Sequence, residues 1–348
     1  MLVIIVAVAV ACLLLPVAGW TLAGWLLAVK AFSQRLEGPG AERSAFLSIA
    51  AEHPGWQRRP VSFQGPQLPG SCGGVLRGFL MDYADTEPRA LLVLFHGYGL
   101  SLEDYLPECE YFCRRGYRVL AFDGTGTGYS DGVLYGLPLH VEDLRCCLDY
   151  VGADPELSRL PLLLYGHSWG GYACDTVSAL GAWPIRGIIS ASGFATAEAA
   201  LVAHTKRHYG IFAPLGMLGV RLYQKLCFGP VAKLGAVEGL AAAACPVLIA
   251  QSDDDPIITF RDNYGVLQRR FADDPKKTFL PLTGQGHNIT VPREADRRKR
   301  RLMQEIRKAP QDQTLLAEFY ALQKETDTAL LQRFGDFLDA CLSKGQVP

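Results

Sequence analysis

The stretch Leu160-Pro161-Leu162-Leu163-Leu164-Tyr165 runs directly into Gly166-His167-Ser168-Trp169-Gly170-Gly171, and that sequence of apolar run, glycine-flanked serine and helix-compatible segment decides the fold. A short continuous apolar run bounded by turn residues reads as a strand buried on both faces. Gly-x-Ser-x-Gly placed between such a strand and a helix is the sharp turn that lifts a serine hydroxyl to the end of a sheet. Alone, the five residues are only a serine in a glycine-rich turn. Gly166 and Gly170 are needed because the turn holds Ser168 in a strained backbone and side chains there would strike adjacent strands.

Outward from this turn, short β-like runs recur: VSF after Pro60, VLRGFLMDY, Ala90 to Phe95, Tyr117 to Phe122, Ile185 to Ser190, Val247 to Gln251 and Thr278 to Leu282. Helix-like segments alternate with them at Leu102 to Arg115, Leu139 to Val151 and Gly171 to Leu180. Such alternation predicts an α/β protein with a mostly parallel eight-stranded sheet and helices on both faces. Residues 194–243 are far longer than a simple crossover needs, so they read as an inserted helical cap, apolar enough to cover a cleft. The expected organisation is 1–29 a transmembrane anchor, 30–59 a juxtamembrane linker and helix, 60–193 the first part of the core, 194–243 the cap and 244–348 the second part of the core.

A serine hydroxyl is a weak nucleophile near neutral pH and needs a base together with a group that orients the base. His287, in Gly286-His287-Asn288, follows the last apolar strand, and Asp255 follows Val247 to Gln251 in Ser252-Asp253-Asp254-Asp255-Pro256. Asp255 is chosen over the turn residues Asp253 and Asp254 because it stands immediately before Pro-Ile; Asp254 is the alternative. The chain order Ser168, Asp255, His287 is that of the α/β-hydrolase fold. Phe95-His96-Gly97-Tyr98-Gly99 ends another strand, and Gly97 lets the backbone approach the pocket. The N–H groups of Tyr98 and Trp169 are therefore the expected oxyanion hole.

These pieces resemble α/β-hydrolases of the group that contains serine aminopeptidase-like and monoacylglycerol lipase-like enzymes. The resemblance covers about residues 60 to 343 and rests on HGYG at 96–99, DGTGTGYSDG at 123–132, GHSWGG at 166–171, DDDP at 253–256 and GHN at 286–288. In that group the second piece usually reads D-x-R-G-x-G-x-S; here Thr125 stands for the arginine and Thr127 for a common histidine. With its apolar N-terminus the chain is also similar to membrane-anchored bacterial hydrolases, a resemblance that supplies no substrate.

Residues 1–29 carry no charged side chain, whereas a hydrocarbon core needs about 20 apolar residues in a helix. The segment has neither a basic start nor a clear cleavage site, so it reads as an uncleaved single-pass anchor. Trp20 and Trp25 suit the membrane interface, and Pro16 would kink the helix rather than forbid it. Lys30, Arg35 and Arg43 follow the helix, which predicts a cytoplasmic catalytic domain. The 10 cysteines include no CxxC or zinc spacing, in keeping with a reducing compartment. With 34 Lys and Arg against 35 Asp and Glu, no electrostatic footprint for nucleic acid exists.

His204 and His208 lie one helical turn apart without a third ligand, so they read as a solvated or packed pair rather than a metal site. The run Arg293 to Lys308, with eight basic and three acidic residues, reads as a solvated helix face, with lipid headgroup contact as the alternative. Asn288-Ile289-Thr290 fits a glycosylation sequon but abuts His287, where a glycan would block the site. The expected function is thus a membrane-anchored serine hydrolase cleaving carboxylic esters with an apolar or lipid-like acyl group, with no metal or organic cofactor needed. Aminopeptidase and acyltransferase chemistry use the same triad, and an inactive scaffold binding a membrane partner is the non-catalytic alternative.

Overall fold

The computed structural model describes residues 1–36, 45–69, 74–202, 210, 213–309 and 311–343. Eight strands form one sheet: β1 (Trp56–Gln64), β2 (Val75–Tyr83), β3 (Ala90–Phe95), β4 (Tyr117–Phe122), β5 (Leu162–His167), β6 (Ile185–Ala191), β7 (Val247–Ser252) and β8 (Lys277–Leu282). Their order is β1-β2-β4-β3-β5-β6-β7-β8. β2 pairs antiparallel with β1 and with β4, and every other pairing is parallel. The continuous apolar runs occupy the middle because parallel strands there are covered on both faces. In β3, Leu91, Val93 and Phe95 join one buried cluster while Ala90, Leu92 and Leu94 join a second on the opposite face.

Several boundaries differ from the sequence reading for local reasons. β1 begins at Trp56, inside the segment read as linker, because Gln57, Arg58 and Arg59 carry no apolar pattern yet pair in register with Asp82, Met81 and Leu80. β5 runs on through His167, and the helix after it starts at Trp169 rather than Gly171. The helices around the sheet include α2 (Phe46–Glu52), α3 (Leu106–Arg114), α4 (Leu139–Ala153), α5 (Trp169–Thr176), α8 (Tyr264–Arg270) and α11 (Thr328–Ser343), with α6 (Ala213–Phe228) and α7 (Ala236–Ala242) in the segment 194–243 expected to form the cap. The linker residues Glu37 to Gly40, together with Arg43, lie outside the described residues.

The chain leaves the sheet after β6 and returns close to where it left: Thr196 bridges to Gly235, and the Ala236 N–H donates to the Ala195 carbonyl at 2.8 Å. After the His287 loop, α9 (Arg293–Lys308) and α10 (Gln313–Gln323) pair around Ala295, Leu302, Ile306, Phe319 and Leu322, a small core of their own. The charges of the basic run lie mainly on the outer face of α9, where Arg298 pairs with Glu318 and Arg300 with Asp296.

The N-terminal helix α1 spans Leu2–Phe32 and continues past residue 29, since Lys30 sits in its last turn where a cation suits the helix dipole. Its segment Leu14–Phe32 is long and apolar enough to cross a membrane. The helix ends stitched to the body: Leu36 N–H donates to the Gly126 carbonyl, Leu134 N–H to the Gln34 carbonyl, and Arg35 to the carbonyls of Ser130 and Gly128.

Candidate active site

At the junction of β5 and α5, Ser168 adopts φ 55° and ψ −110°, a conformation that a non-glycine residue holds only when its surroundings enforce it. A Cβ at Gly166 would run into the backbone of Gly170, and one at Gly170 would run into the carbonyl of Phe95 on β3. The turn is therefore wedged between its own helix and the neighbouring strand. Gly97 lies against it: a Cβ there would be 3.2 Å from the Ser168 Cβ. That contact brings the Gly97-Tyr98 loop beside the serine. Trp169, whose N–H is the other expected donor, is the first residue of α5, where unpaired helix N–H groups are found.

His287, on the loop after β8, places Nε2 2.8 Å from the Ser168 Oγ and Nδ1 2.7 Å from an Asp255 oxygen. The second Asp255 oxygen accepts the N–H groups of Ile257 at 2.8 Å and Ile258 at 2.9 Å. All three side chains are buried. Asp254 instead accepts from the Ser252 hydroxyl and the Gly286 N–H and pairs with Arg293, while Asp253 accepts the Gly284 N–H. These two aspartates shape the histidine loop. Asn288 donates to Asp296, and the buried Thr290 hydroxyl donates to Glu108, so the sequon side chains are engaged within the protein.

A second hydrogen-bond path, with no periodic signal in the sequence, joins the Gly97–Tyr98 loop to the histidine loop. The Gly97 N–H donates to Tyr105 Oη at 3.0 Å, Tyr105 Oη meets His167 Nδ1 at 2.7 Å, and His167 Nε2 meets the His287 carbonyl at 3.1 Å. Because a carbonyl only accepts, His167 carries its proton on Nε2, and Nδ1 accepts from the tyrosine. Burial pushes the His167 pKa down to about 3, so the ring is neutral at working pH. The Ser192 hydroxyl donates to the same His287 carbonyl at 2.7 Å. His167 stood in plain view inside the quoted motif; Tyr105 had nothing in its surroundings to mark it.

The ring of Trp169 is held from two sides. His140 stacks on it with centroids 3.5 Å apart and planes 2° apart, and the Trp169 Nε1–H donates to the Leu137 carbonyl at 2.7 Å. The two threonines that depart from the family pattern are buried and bonded. Thr125 meets Asp143 through both its N–H and its hydroxyl, and the Thr127 hydroxyl lies 2.7 Å from the Gly124 carbonyl and 3.1 Å from His96 Nε2. Burial lowers His96 to about 4, and its Nδ1–H donates to the Gly97 carbonyl at 2.8 Å. Among the described residues no group of three or more His, Cys, Asp or Glu is arranged to hold a metal. His204 and His208 lie outside the described residues.

The sequence pattern of the family described as serine aminopeptidase, S33, matches residues 86–221, which takes in Ser168 but stops short of Asp255 and His287. A monoacylglycerol lipase of Mycolicibacterium smegmatis is 35% identical over 102 residues, 28% of this chain and 36% of that one. A bifunctional esterase/perhydrolase of Acinetobacter calcoaceticus is 32% identical over 93 residues, 26% of this chain and 32% of that one. The chain thus spans about a third of the length of these curated relatives. Among solved structures, an esterase of Pyrococcus furiosus superposes with a TM-score of 0.53 at 17% identity, covering 73% of this chain and 93% of that one. Est1E from Butyrivibrio proteoclasticus, solved with ferulic acid, gives 0.50 at 19% identity, covering 64% and 91%. Sheet order and these structural likenesses show that the chain has the α/β-hydrolase fold.

Proposed function

We propose that the protein is a serine hydrolase that cleaves carboxylic esters through Ser168, His287 and Asp255. The observation that carries the proposal is the continuous Asp255–His287–Ser168 hydrogen-bond chain, closed at a strained serine at the end of a parallel strand. His287 Nε2 takes the Ser168 proton as Oγ attacks the ester carbonyl. Asp255, fixed by two N–H groups, holds the imidazole with Nδ1–H toward it and stabilises the cation that forms. The negative charge on the former carbonyl oxygen falls between the Tyr98 and Trp169 N–H groups, where one such donor is worth about 10²–10³ in rate. Collapse releases the alcohol with the proton returned by His287; water, deprotonated by the same base, then attacks the acyl-enzyme and frees Ser168.

Residues 1–29 serve as the membrane anchor, and the basic residues after them favour a cytoplasmic domain. The lipase and esterase names of the relatives and the apolar cap support an ester with an apolar or lipid-like acyl group. Aminopeptidase action would need carboxylates to hold an ammonium group. The two acids of the cap are otherwise engaged, Glu198 with Arg221 and Glu238 with the N–H of Gly235. The test is fluorophosphonate labelling of the full chain in detergent beside Ser168→Ala, followed by turnover of p-nitrophenyl esters of graded length. Labelling and turnover that vanish in the variant are expected. A folded wild-type chain that does not label would refute the proposal and favour the scaffold alternative. Products formed with an added alcohol acceptor separate hydrolysis from acyl transfer.

A further inference from the structure

Helix α6 of the cap does not merely cover the core; one side of it is bolted to α1. A Cβ on Gly24 would enter the carbonyl of Gly216, and one on Gly219 would enter the carbonyl of Thr21, so the two backbones touch. Small residues at a helix crossing permit such an approach, and it is the usual means by which helices pack in lipid. Trp25 meets Tyr223 edge-on at 5.4 Å, Phe32 lies parallel to Tyr223 at 6.3 Å, and Ala28 and Phe32 are buried in the same cluster as Met217, Val220 and Tyr223.

Flanking this seam, α6 exposes Leu218 (46%), Leu222 (46%) and Leu226 (58%), four residues apart. At 3.6 residues per turn this stripe borders Gly219 and Tyr223, and α1 likewise exposes Leu22 and Leu26 next to its own seam residues Thr21 and Trp25. The exposed cations Arg221 and Lys225 lie on the side of the stripe away from α1. A leucine stripe edged by cations is the composition of a helix lying in the plane of a membrane surface.

The length of α1 sets the level at which α6 lies. Its 31 residues make a rod of about 46 Å, against a hydrocarbon core of about 30 Å. Leu14 and Leu15 are exposed, whereas Gly24, Ala28 and Phe32 are buried against the body. The end that α6 touches is therefore the end that emerges, at the level of Trp20 and Trp25, residues suited to the membrane interface. We propose that α6 is a second membrane element, its Leu218-Leu222-Leu226 stripe seated in the headgroup and acyl boundary of the bilayer that α1 crosses. This rests on the reading of α1 as a membrane span.

The test uses the full chain in phosphatidylcholine vesicles with an environment-sensitive fluorescent amino acid at one position at a time: 222 on the stripe, 15 on α1, and 273 in the turn before β8, at the opposite end of the sheet. Nitroxides carried on the lipids at shallow or deep positions act as quenchers. The expected result is quenching at 222, strongest with shallow nitroxides, quenching at 15, and none at 273. Quenching at 15 with water-like emission at 222 would overturn the proposal and leave the anchor standing. Blue-shifted emission at 222 without lipid quenching would replace the bilayer by a protein contact, and absence of quenching at both 222 and 15 would remove the anchor reading as well.

Discussion

Tyr105→Phe removes one oxygen and leaves the ring, so its effect can be worked out from the bonds that oxygen holds. Tyr105 Oη receives the Gly97 N–H at 3.0 Å and reaches His167 Nδ1 at 2.7 Å, and all three groups are buried. Each buried partner left unsatisfied costs about 1–3 kcal/mol, and partial relaxation puts the loss of stability at about 2–4 kcal/mol. The effect on catalysis has a separate origin. Gly97 precedes Tyr98, whose N–H is a proposed oxyanion donor, and a Gly97 freed from the tyrosine displaces that donor without deleting it. Deleting a donor costs about 10²–10³ in kcat, so displacement should cost roughly tenfold to a hundredfold, with KM little changed. The assay is p-nitrophenyl ester turnover by the full chain in detergent, with kcat and KM fitted separately, beside denaturant unfolding followed by tryptophan fluorescence. A variant that loses stability but keeps the wild-type kcat would refute the reasoning, since the Gly97 loop would then hold its place without Tyr105.

Asp255→Asn should lower kcat by about 10⁴, because an amide stabilises neither the required tautomer nor the imidazolium; Asp254→Asn, which alters the Ser252, Gly286 and Arg293 contacts, should cost less than about tenfold. Equal losses in the two variants would mean the acid is misassigned. Gly170→Ala forces a methyl into the Phe95 carbonyl on a central strand and should destabilise by about 3 kcal/mol or more, read as a drop in the unfolding midpoint; a midpoint equal to wild type would contradict the close packing of the turn. His167 is held near pKa 3 when folded, against an ordinary 6.5, so between those values the unfolded chain binds the extra proton. Its contribution is complete above pH 6.5 and is lost as pH falls toward 3. Wild type should therefore lose about 1.4 kcal/mol per pH unit more than His167→Asn across that window, measured by denaturant unfolding at a series of pH values. Parallel pH profiles would show that the ring is not held neutral.

The sheet was legible because its strands are local events. A continuous apolar run such as Leu91 to Phe95 has few alternatives once it is bounded by turns, and the glycines at 166 and 170 announce a turn that only a strand and a helix can flank. β1 was harder to bound because edge strands alternate, and Gln57, Arg58 and Arg59 display their polar faces as a linker would. Among the three aspartates the choice of Asp255 depended on position before Pro256, and the geometry separates them by which oxygen faces His287. What sequence does not carry is contact between distant residues. Tyr105 reaches His167 across 62 positions, and nothing in the residues around it distinguishes it from a packing aromatic. The pairing of α9 with α10 was hidden for a related reason: the charges of Arg293 to Lys308 dominate the pattern, while the apolar seam through Leu302 and Ile306 makes sense only once Phe319 and Leu322 lie opposite it.

The same distinction bears on the cap. Its apolar composition suggested a cover over a cleft, but Gly216 and Gly219 acquire meaning only when the backbone of α1 lies against them. On its inner side α6 braces the loop at Gly136, where a Cβ would strike the Gln224 side chain and the Phe228 ring. The next residue, Leu137, supplies the carbonyl that holds the Trp169 indole, and His140, further along, stacks on the same ring. One helix thus touches the N-terminal helix on one side and, through a single loop, the residue whose N–H is proposed to receive the oxyanion. Because packed interiors transmit displacement rather than absorb it, the seat of α6 on α1 and the position of Trp169 are mechanically linked. Helix α6 is therefore part of the support of the turn at Ser168, and whatever fixes α6 also bears on the geometry there.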